Sequence, residues 1–290
     1  MAGDGVQVRD EFGLSVVMPV HAGVDVRHLE RALTSVVEQT HPAREVVVVE
    51  DGPLTPQHDR LLTSWEEAHA SLRRIRLSQQ GGVAVALQAG LEGAQNPWIA
   101  RMDSDDVALP HRFAAQLEAV RTGLYDVVGG AMIEFDSDEH ETIGIRRMPQ
   151  DHAAIVRLMR INNPLNHPTV VFRRSLVLDV GGYRSLPHLE DYDLWARVWA
   201  AGGILHNLPE PLVRFRADAR MLARRRQAGI HRAELELQHN LRRYGLISWP
   251  RMVFNVVVRT AFRLLPTPLM ARLYRRLFHQ RQSGHGRTAL

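Results

Sequence analysis

The chain has 290 residues, 45% of them hydrophobic, no cysteine and a formal net charge of +4. That length and apolar content allow a real core in one or two domains, while the missing cysteines exclude disulfides and thiolate metal sites and suit a cytoplasmic protein. The first fifteen residues carry Asp4, Asp10 and Glu11 without an apolar run, so no leader is expected, and no apolar stretch approaches the ~18–20 residues that span a bilayer.

In chain order, residues 1–12 read as a tail. LSVVMPV, Leu14 to Val20, is a β-branched run of the buried-strand type. DVRHLERALTSVVEQT then spaces Leu29, Leu33, Val36 and Val37 on one helical face. EVVVVEDG, Glu45 to Gly52, predicts a second buried strand closed by acids and a turn glycine. A helix follows around Pro56 to Ala70, then the short strand RRIRLS, a glycine-opened helix GGVAVALQAGLEGA, and the strand PWIARMD. Continuous apolar strands separated by helices predict an α/β fold with a mostly parallel, Rossmann-like sheet covered on both faces. Ligands of such sheets sit at the carboxyl ends of the strands, where Val20, Glu50-Asp51 and the acidic DSDD stretch all fall.

From residue 125 to 215 the pattern is less regular. YDVVGGAMIEF predicts a strand, PQDHAAIVRLMRI a helix, and PTVVFRRSLVLDVGGY a strand, a short helix and a glycine turn. LEDYDLWARVWAAGG is a helix with the i,i+4 pairs Leu194–Val198 and Trp195–Trp199, ended by Gly202 and Gly203.

DSDD places Asp103, Asp105 and Asp106 within four residues. Crowded like charges are costly unless a cation or solvent relieves them. In a strand Asp103 and Asp105 would share a face, and two hard carboxylates without His or Cys nearby suit Mg²⁺ or Mn²⁺ bridged to a substrate's phosphates. A solvated acidic turn capping a helix is the alternative from these residues alone.

The string SVVMPVHAG…LERALTSVVEQTHPAREVVVVEDGPLT…ALQAGL…WIARMDSDDVALPHRFAAQ, with EDYDLW further on, resembles glycosyltransferase family 2, the inverting nucleotide-sugar enzymes of the GT-A fold. Within that family it is most similar to bacterial enzymes of exopolysaccharide, capsule and cell-surface glycan synthesis. The resemblance spans residues 13–215 and implies a GT-A catalytic domain with a nucleotide-binding half, 13–110, and an acceptor-binding half, 111–215. It implies that Pro19 and Val20 line the nucleobase pocket, that Asp51 accepts the base's imide hydrogen bond with Glu50 beside it, and that Asp103 faces the ribose or metal. Asp105 would be the direct ligand of the divalent ion, Mn²⁺ or Mg²⁺, and Arg101 would steady the cluster or a phosphate.

An inverting transferase also needs one base to take the acceptor hydroxyl's proton, while the leaving diphosphate needs charge stabilisation rather than a protein acid. By resemblance Asp191 is that base, with Glu190, His167 and Trp195 on the acceptor side; both acids also stand at a helix start, where negative charge is favoured in any case. Two departures stand out. The usual YN after the first strand is His21-Ala22 here, and the His that many relatives supply as a metal ligand beyond the base is replaced around Ala217, with Asp218 or water as substitutes.

Residues 216–290 form a basic, amphipathic helical extension. From Leu212 onward 17 Arg stand against Asp218, Glu234 and Glu236, a net +14, and the rest of the chain carries −10. RMVFNVVVRTAFRLL sets Arg251, Asn255, Arg259 and Arg263 on one ridge opposite Val253, Val256, Val257 and Leu264. LMARLYRRLFHQRQ sets Leu269, Leu273, Tyr274, Leu277 and Phe278 against Arg272, Arg275, Arg276 and His279. Such helices lie on anionic membranes or pack on the catalytic domain, or do both, with the Arg ridge on lipid. They carry no nucleic-acid recognition motif.

The expected function is transfer of a sugar from a nucleotide donor, of UDP type, to a lipid-linked or glycan acceptor, by a peripheral protein on the inner face of the cell membrane. A sugar nucleotidyltransferase and a non-catalytic nucleotide-sugar binder are the alternatives. The first of these wants a glycine- and basic-rich phosphate loop, which PVHAGVD is not.

Overall fold

The computed structural model describes residues 11–136, 141–217, 230–264 and 279–280. Its centre is one ten-stranded sheet. Four parallel strands make its first half: β1 (Leu14–Val20), β2 (Glu45–Glu50), β3 (Leu72–Arg76) and β4 (Trp98–Arg101), in the spatial order β3-β2-β1-β4. All residues of β1, β2 and β4 are buried, as unbroken apolar runs require when helices cover both faces.

Those helices are α1 (Val26–Val37), α2 (Pro56–Ala68) and α3 (Val83–Gly93). Asp25 caps α1 through the Arg27 amide, and Thr55 caps α2, which has Pro56 at its first position. Strand side chains alternate between two cores. Val16, Met18, Val46 and Val48 meet Leu29 and Leu33 of α1, while Val17, Val47 and Val49 meet α3. The approach of α3 is so close that a Cβ at Gly90 would stand 2.3 Å from a Val17 methyl.

Beyond β4 the sheet becomes mixed. β8 (Val171–Arg173) pairs antiparallel to β4 and to β6 (Val127–Phe135), which in turn pairs with β7 (Thr142–Arg146). β9 (Leu205–Arg216) runs parallel to β6 and antiparallel to the two-residue β5 (Val107–Ala108), and β10 (His279–Gln280) closes the edge on β7. The expected mostly parallel sheet is thus parallel in the first half and mixed in the second. α4 (Arg112–Arg121), α5 (His152–Met159), α6 (Arg174–Asp179) and α7 (Glu190–Ala200) flank it.

Two further helices follow, α8 (Ile230–Arg243) and α9 (Trp249–Leu264). Leu237, Leu241, Leu246 and Ile247 join the same core as α3 and α7. Asp193 of α7 receives Asn240 Nδ2 at 3.1 Å and the Tyr244 hydroxyl at 3.0 Å, besides its 2.8 Å pair with Arg197. The packed arrangement is therefore realised for one face of α9, with α8, which the sequence pattern did not single out, packed beside it. The tail before Glu11, Asp218 and the LMARLYRRLF segment lie outside the described residues, while His279 and Gln280, expected at the end of that helix, are strand β10 instead. Among the described residues, no helix is long and apolar enough to cross a membrane.

Candidate active site

At the carboxyl ends of β1 and β2, the Asp51 amide bonds to Val20 O at 2.8 Å, which sets Val20 and Asp51 side by side. Gly52, at φ +84°, turns the chain beneath Gln80; a Cβ there would lie 2.7 Å from the Gln80 amide. This turn lets Asp51 accept from Gly81 N at 2.7 Å and from Gly82 N at 3.0 Å, holding the glycine loop that opens α3. Pro19, Val20 and Asp51 thus share one strand-end region. Glu50 does not join them: its side chain points to the α2 face and is paired with Arg74 at 2.6 Å and Arg76 at 3.3 Å. Period-two alternation sends neighbouring acids to opposite faces, so the expectation of Glu50 as a donor contact is corrected to a structural ion pair.

β4 ends at Arg101, so DSDD is a turn and not strand, contrary to the expectation that a strand puts Asp103 and Asp105 on one face. The alternation survives in exposure nonetheless: Asp103 and Asp105 are half-buried, while Ser104 and Asp106 are buried. Three neighbours relieve the crowding of charge. The Arg101 guanidinium pairs with Asp103 at 2.5 Å. Asp106 accepts from the Arg216 amide at 2.8 Å, and burial together with repulsion from Asp103 and Asp105 raises its pKa well above the carboxylate range. Arg216 Nε donates to Asp105 O at 3.2 Å, so the end of β9 roofs the turn. From below, buried Arg112 donates to Arg101 O at 2.7 Å; burial lowers its pKa to about 9, which leaves it charged at neutral pH.

The second acidic group opens α7. Asn163, in the loop after α5, donates to Asp191 Oδ2 at 2.5 Å, and the Tyr192 amide donates to Oδ1 at 2.8 Å. His167 stands 3.9 Å from Asp191 through Nδ1, and its Nε2 meets the Tyr183 hydroxyl at 2.9 Å. Burial first, then the charge of Arg101, pulls the His167 pKa well down, so the ring is neutral. Burial raises the Asp191 pKa against the opposing pull of Asn163, the Tyr192 amide and Arg101; Glu190 is raised to about 7 by burial and by Asp191.

Arg101 links the two groups. It is paired with Asp103 on one side, and on the other its charge opposes the rise of Glu190 and Asp191 and adds to the fall of His167. Asp103, Arg101, Tyr183, His167, Glu190 and Asp191 therefore occupy one electrostatic neighbourhood. Trp195 does not reach it as a stacking platform. It is 0% exposed, edge-on to His167 at 6.0 Å and packed at 6.1 Å on Phe172, so no ring face is open to a sugar. Asn163 and Arg216 went unsingled in the sequence because neither residue type signals a role until folding brings it beside an acid.

The oxygen donors of the turn suit a hard cation. Asp103 and Asp105 retain exposure, and no group of three or more His, Asp or Glu forms a cage among the described residues. A cation held there would draw the rest of its shell from substrate phosphate and water, the habit of Mg²⁺ and Mn²⁺ at phosphate sites.

A parallel half joined through β4 to a mixed half is the architecture of the GT-A fold. The family model described as glycosyl transferase family 2 matches residues 15–181. The chain belongs to that family and is a glycosyltransferase, which sets aside the nucleotidyltransferase and non-catalytic alternatives. The amylovoran biosynthesis glycosyltransferase AmsE of Erwinia amylovora is 34% identical to it, covering 90% of this chain and 97% of its own. A UDP-Gal:alpha-D-GlcNAc-diphosphoundecaprenol beta-1,3-galactosyltransferase of Escherichia coli is 27% identical over 92% of this chain and 96% of its own. Among solved structures, S. aureus TarS 1-349 in complex with UDP-GlcNAc matches with a TM-score of 0.60 at 17% identity, over 79% of this chain and 66% of that one. Mannosyltransferase PcManGT from Pyrobaculum calidifontis, in complex with GDP-Man and Mn²⁺, matches with a TM-score of 0.57 at 17% identity, over 91% and 79%. At such identities these two structures speak for the fold alone.

Proposed function

We propose that the enzyme is an inverting, cation-dependent transferase that moves a hexosyl or N-acetylhexosaminyl unit from a UDP-sugar to a hydroxyl of a lipid-linked or growing glycan acceptor, in the synthesis of a bacterial cell-surface glycan. Its two halves divide the work at residue 110. The observation that carries the reading is Arg101, which is buried, paired with Asp103 and close enough to Glu190 and Asp191 for its charge to act on both. The named activities of the Escherichia coli and Erwinia amylovora relatives support the choice of donor and acceptor class.

In this mechanism Val20 and Pro19 flank the base, and Asp51, already fixed by Gly81 and Gly82, receives its imide hydrogen. Asp105 with Asp103 would hold the cation, which when bound offsets the charge gathering on the diphosphate. Asp191, oriented by Asn163, takes the proton of the acceptor hydroxyl as that oxygen bonds to the anomeric carbon. The bond from that carbon to the diphosphate oxygen breaks on the opposite face, its electron pair leaves with UDP, and the configuration inverts. Glu190 and neutral His167 border the acceptor hydroxyl, and the Tyr183 hydroxyl fixes the His167 ring.

A thermal-shift screen of UDP-, dTDP- and GDP-sugars, with and without Mn²⁺, tests the assignment, because a ligand that binds only the folded state raises its melting temperature. A UDP-sugar is expected to give the largest shift, and only with Mn²⁺. Asp105→Ala should erase the cation-dependent part; an undiminished Mn²⁺ effect in that variant would remove Asp105 from the role.

A further inference from the structure

Helix α9 is mounted with its polar side inward. Asn255 is buried and donates to Arg160 O and bonds Gln238 Oε1, both at 2.9 Å. Arg259 pairs with buried Glu234 of α8 at 2.7 Å and donates to Ile161 O at 2.9 Å. The expectation that the Arg ridge faces lipid is thereby reversed for Arg259. The outward side of the helix is apolar instead: Trp249, Phe254 and Val257 are 59%, 54% and 61% exposed, with Val253 and Val258 beside them. Ile161, held against α9 through its carbonyl, is also exposed.

A buried polar network fixes this orientation, since turning the helix over would take Arg259 from the Glu234 carboxylate and Asn255 from Gln238 Oε1. An apolar face left outward by such a seam is matched to an apolar surrounding. Cations stand near it in the chain: Arg251 lies over the Phe254 ring at 5.6 Å, and Arg242 and Arg243 are exposed in the last turn of α8, just before α9. A tryptophan at one end, an aliphatic stripe and flanking arginines are complementary to the headgroup–acyl boundary of an anionic bilayer.

We infer that the outward face of α9, centred on Phe254 and Val257, docks the enzyme on an anionic membrane. The inference rests on the reading of a membrane-borne acceptor and gives it a geometry. The loop that α9 grips through Arg160 and Ile161 continues to Asn163, the partner of Asp191, so the docking helix is tied to the loop that orients Asp191.

The test is flotation of the full chain with vesicles of phosphatidylcholine alone, and with phosphatidylglycerol added at roughly three parts in ten. Light scattering and transfer to a soluble glycan acceptor are measured alongside. The wild type is expected to float with the anionic vesicles only. The Phe254→Asp/Val257→Asp variant should lose about tenfold of that binding, keeping its melting temperature and soluble-acceptor transfer. Flotation unchanged in the variant, equal flotation with neutral vesicles, or a wild-type dimer that the variant splits without any flotation would each overturn the inference. Soluble transfer reports the sugar chemistry separately, so its failure in the wild type would count against the proposed reaction and not against docking.

Discussion

In β1, β2 and β4 the apolar side chains face two cores; in α9 Phe254, Val257 and Val258 face out while Asn255 and Arg259 face in. Both regions are stabilised by what they bury, but the currency differs. The parallel half buries hydrocarbon, a non-directional interaction that tolerates many neighbours. The α8–α9 seam buries hydrogen-bonding groups, whose energy depends on each partner being present. One region is thus robust to its surroundings, and the other leaves Phe254, Val257 and Val258 exposed. Helix α7 joins them, with Asp191 toward Asn163 and Asp193 toward α8.

The largest effect expected tests the Asp191 side of that junction. Asp191→Asn should lower kcat by about 10²–10⁴-fold with donor binding retained, as removal of a general base does. Steady-state kinetics beside donor-induced thermal shifts decide it, and unchanged turnover would take Asp191 out of the base role.

Next is a pH dependence. Glu190 is raised from 4.5 to about 7, so between those values the folded protein holds a proton that the unfolded chain has released. Its contribution is complete below about 4.5 and is lost as the pH rises through about 7, on the order of 3 kcal/mol. Urea melts across that window should show the fall, and Glu190→Gln should flatten it. Transfer should rise over the same range as the Glu190–Asp191 pair ionises.

Two substitutions then contrast the regions directly. Gly90→Ala forces a methyl into Val17 and should cost roughly 1–3 kcal/mol of global stability, seen as a lower urea midpoint. Asn255→Ala should cost about 1–2 kcal/mol, by leaving Gln238 Oε1 and Arg160 O unpaired. Its signature is local: hydrogen exchange should quicken in α9 while β1 and β2 stay protected. If the sheet loosened equally, the two regions would be one cooperative unit and the contrast would fail.

Much of the first half was legible in order. An unbroken β-branched run such as EVVVVE has one economical fate, and the acids and glycines after it mark the strand end where Val20 and Asp51 meet. The acidic turn and the EDYDLW helix were legible as motifs, but their relation was not. Nothing in the local pattern says that Arg101 lies between them, that Asn163 holds Asp191, or that Trp195 is walled in by Phe172 and His167. Glu50 was misplaced for the same reason: adjacent acids in a strand look alike until the opposite face is known to contain Arg74.

By itself the sequence determined the periodic elements, the alternation of two cores in the parallel half, and the family to which the chain belongs, because period and residue type are local properties. The tertiary structure alone decided which acids gather around Arg101 and which side of α9 looks outward. Those outcomes depend on partners distant in the chain, Glu234 for Arg259 and Asn163 for Asp191, and a buried charge takes its direction from the group that satisfies it.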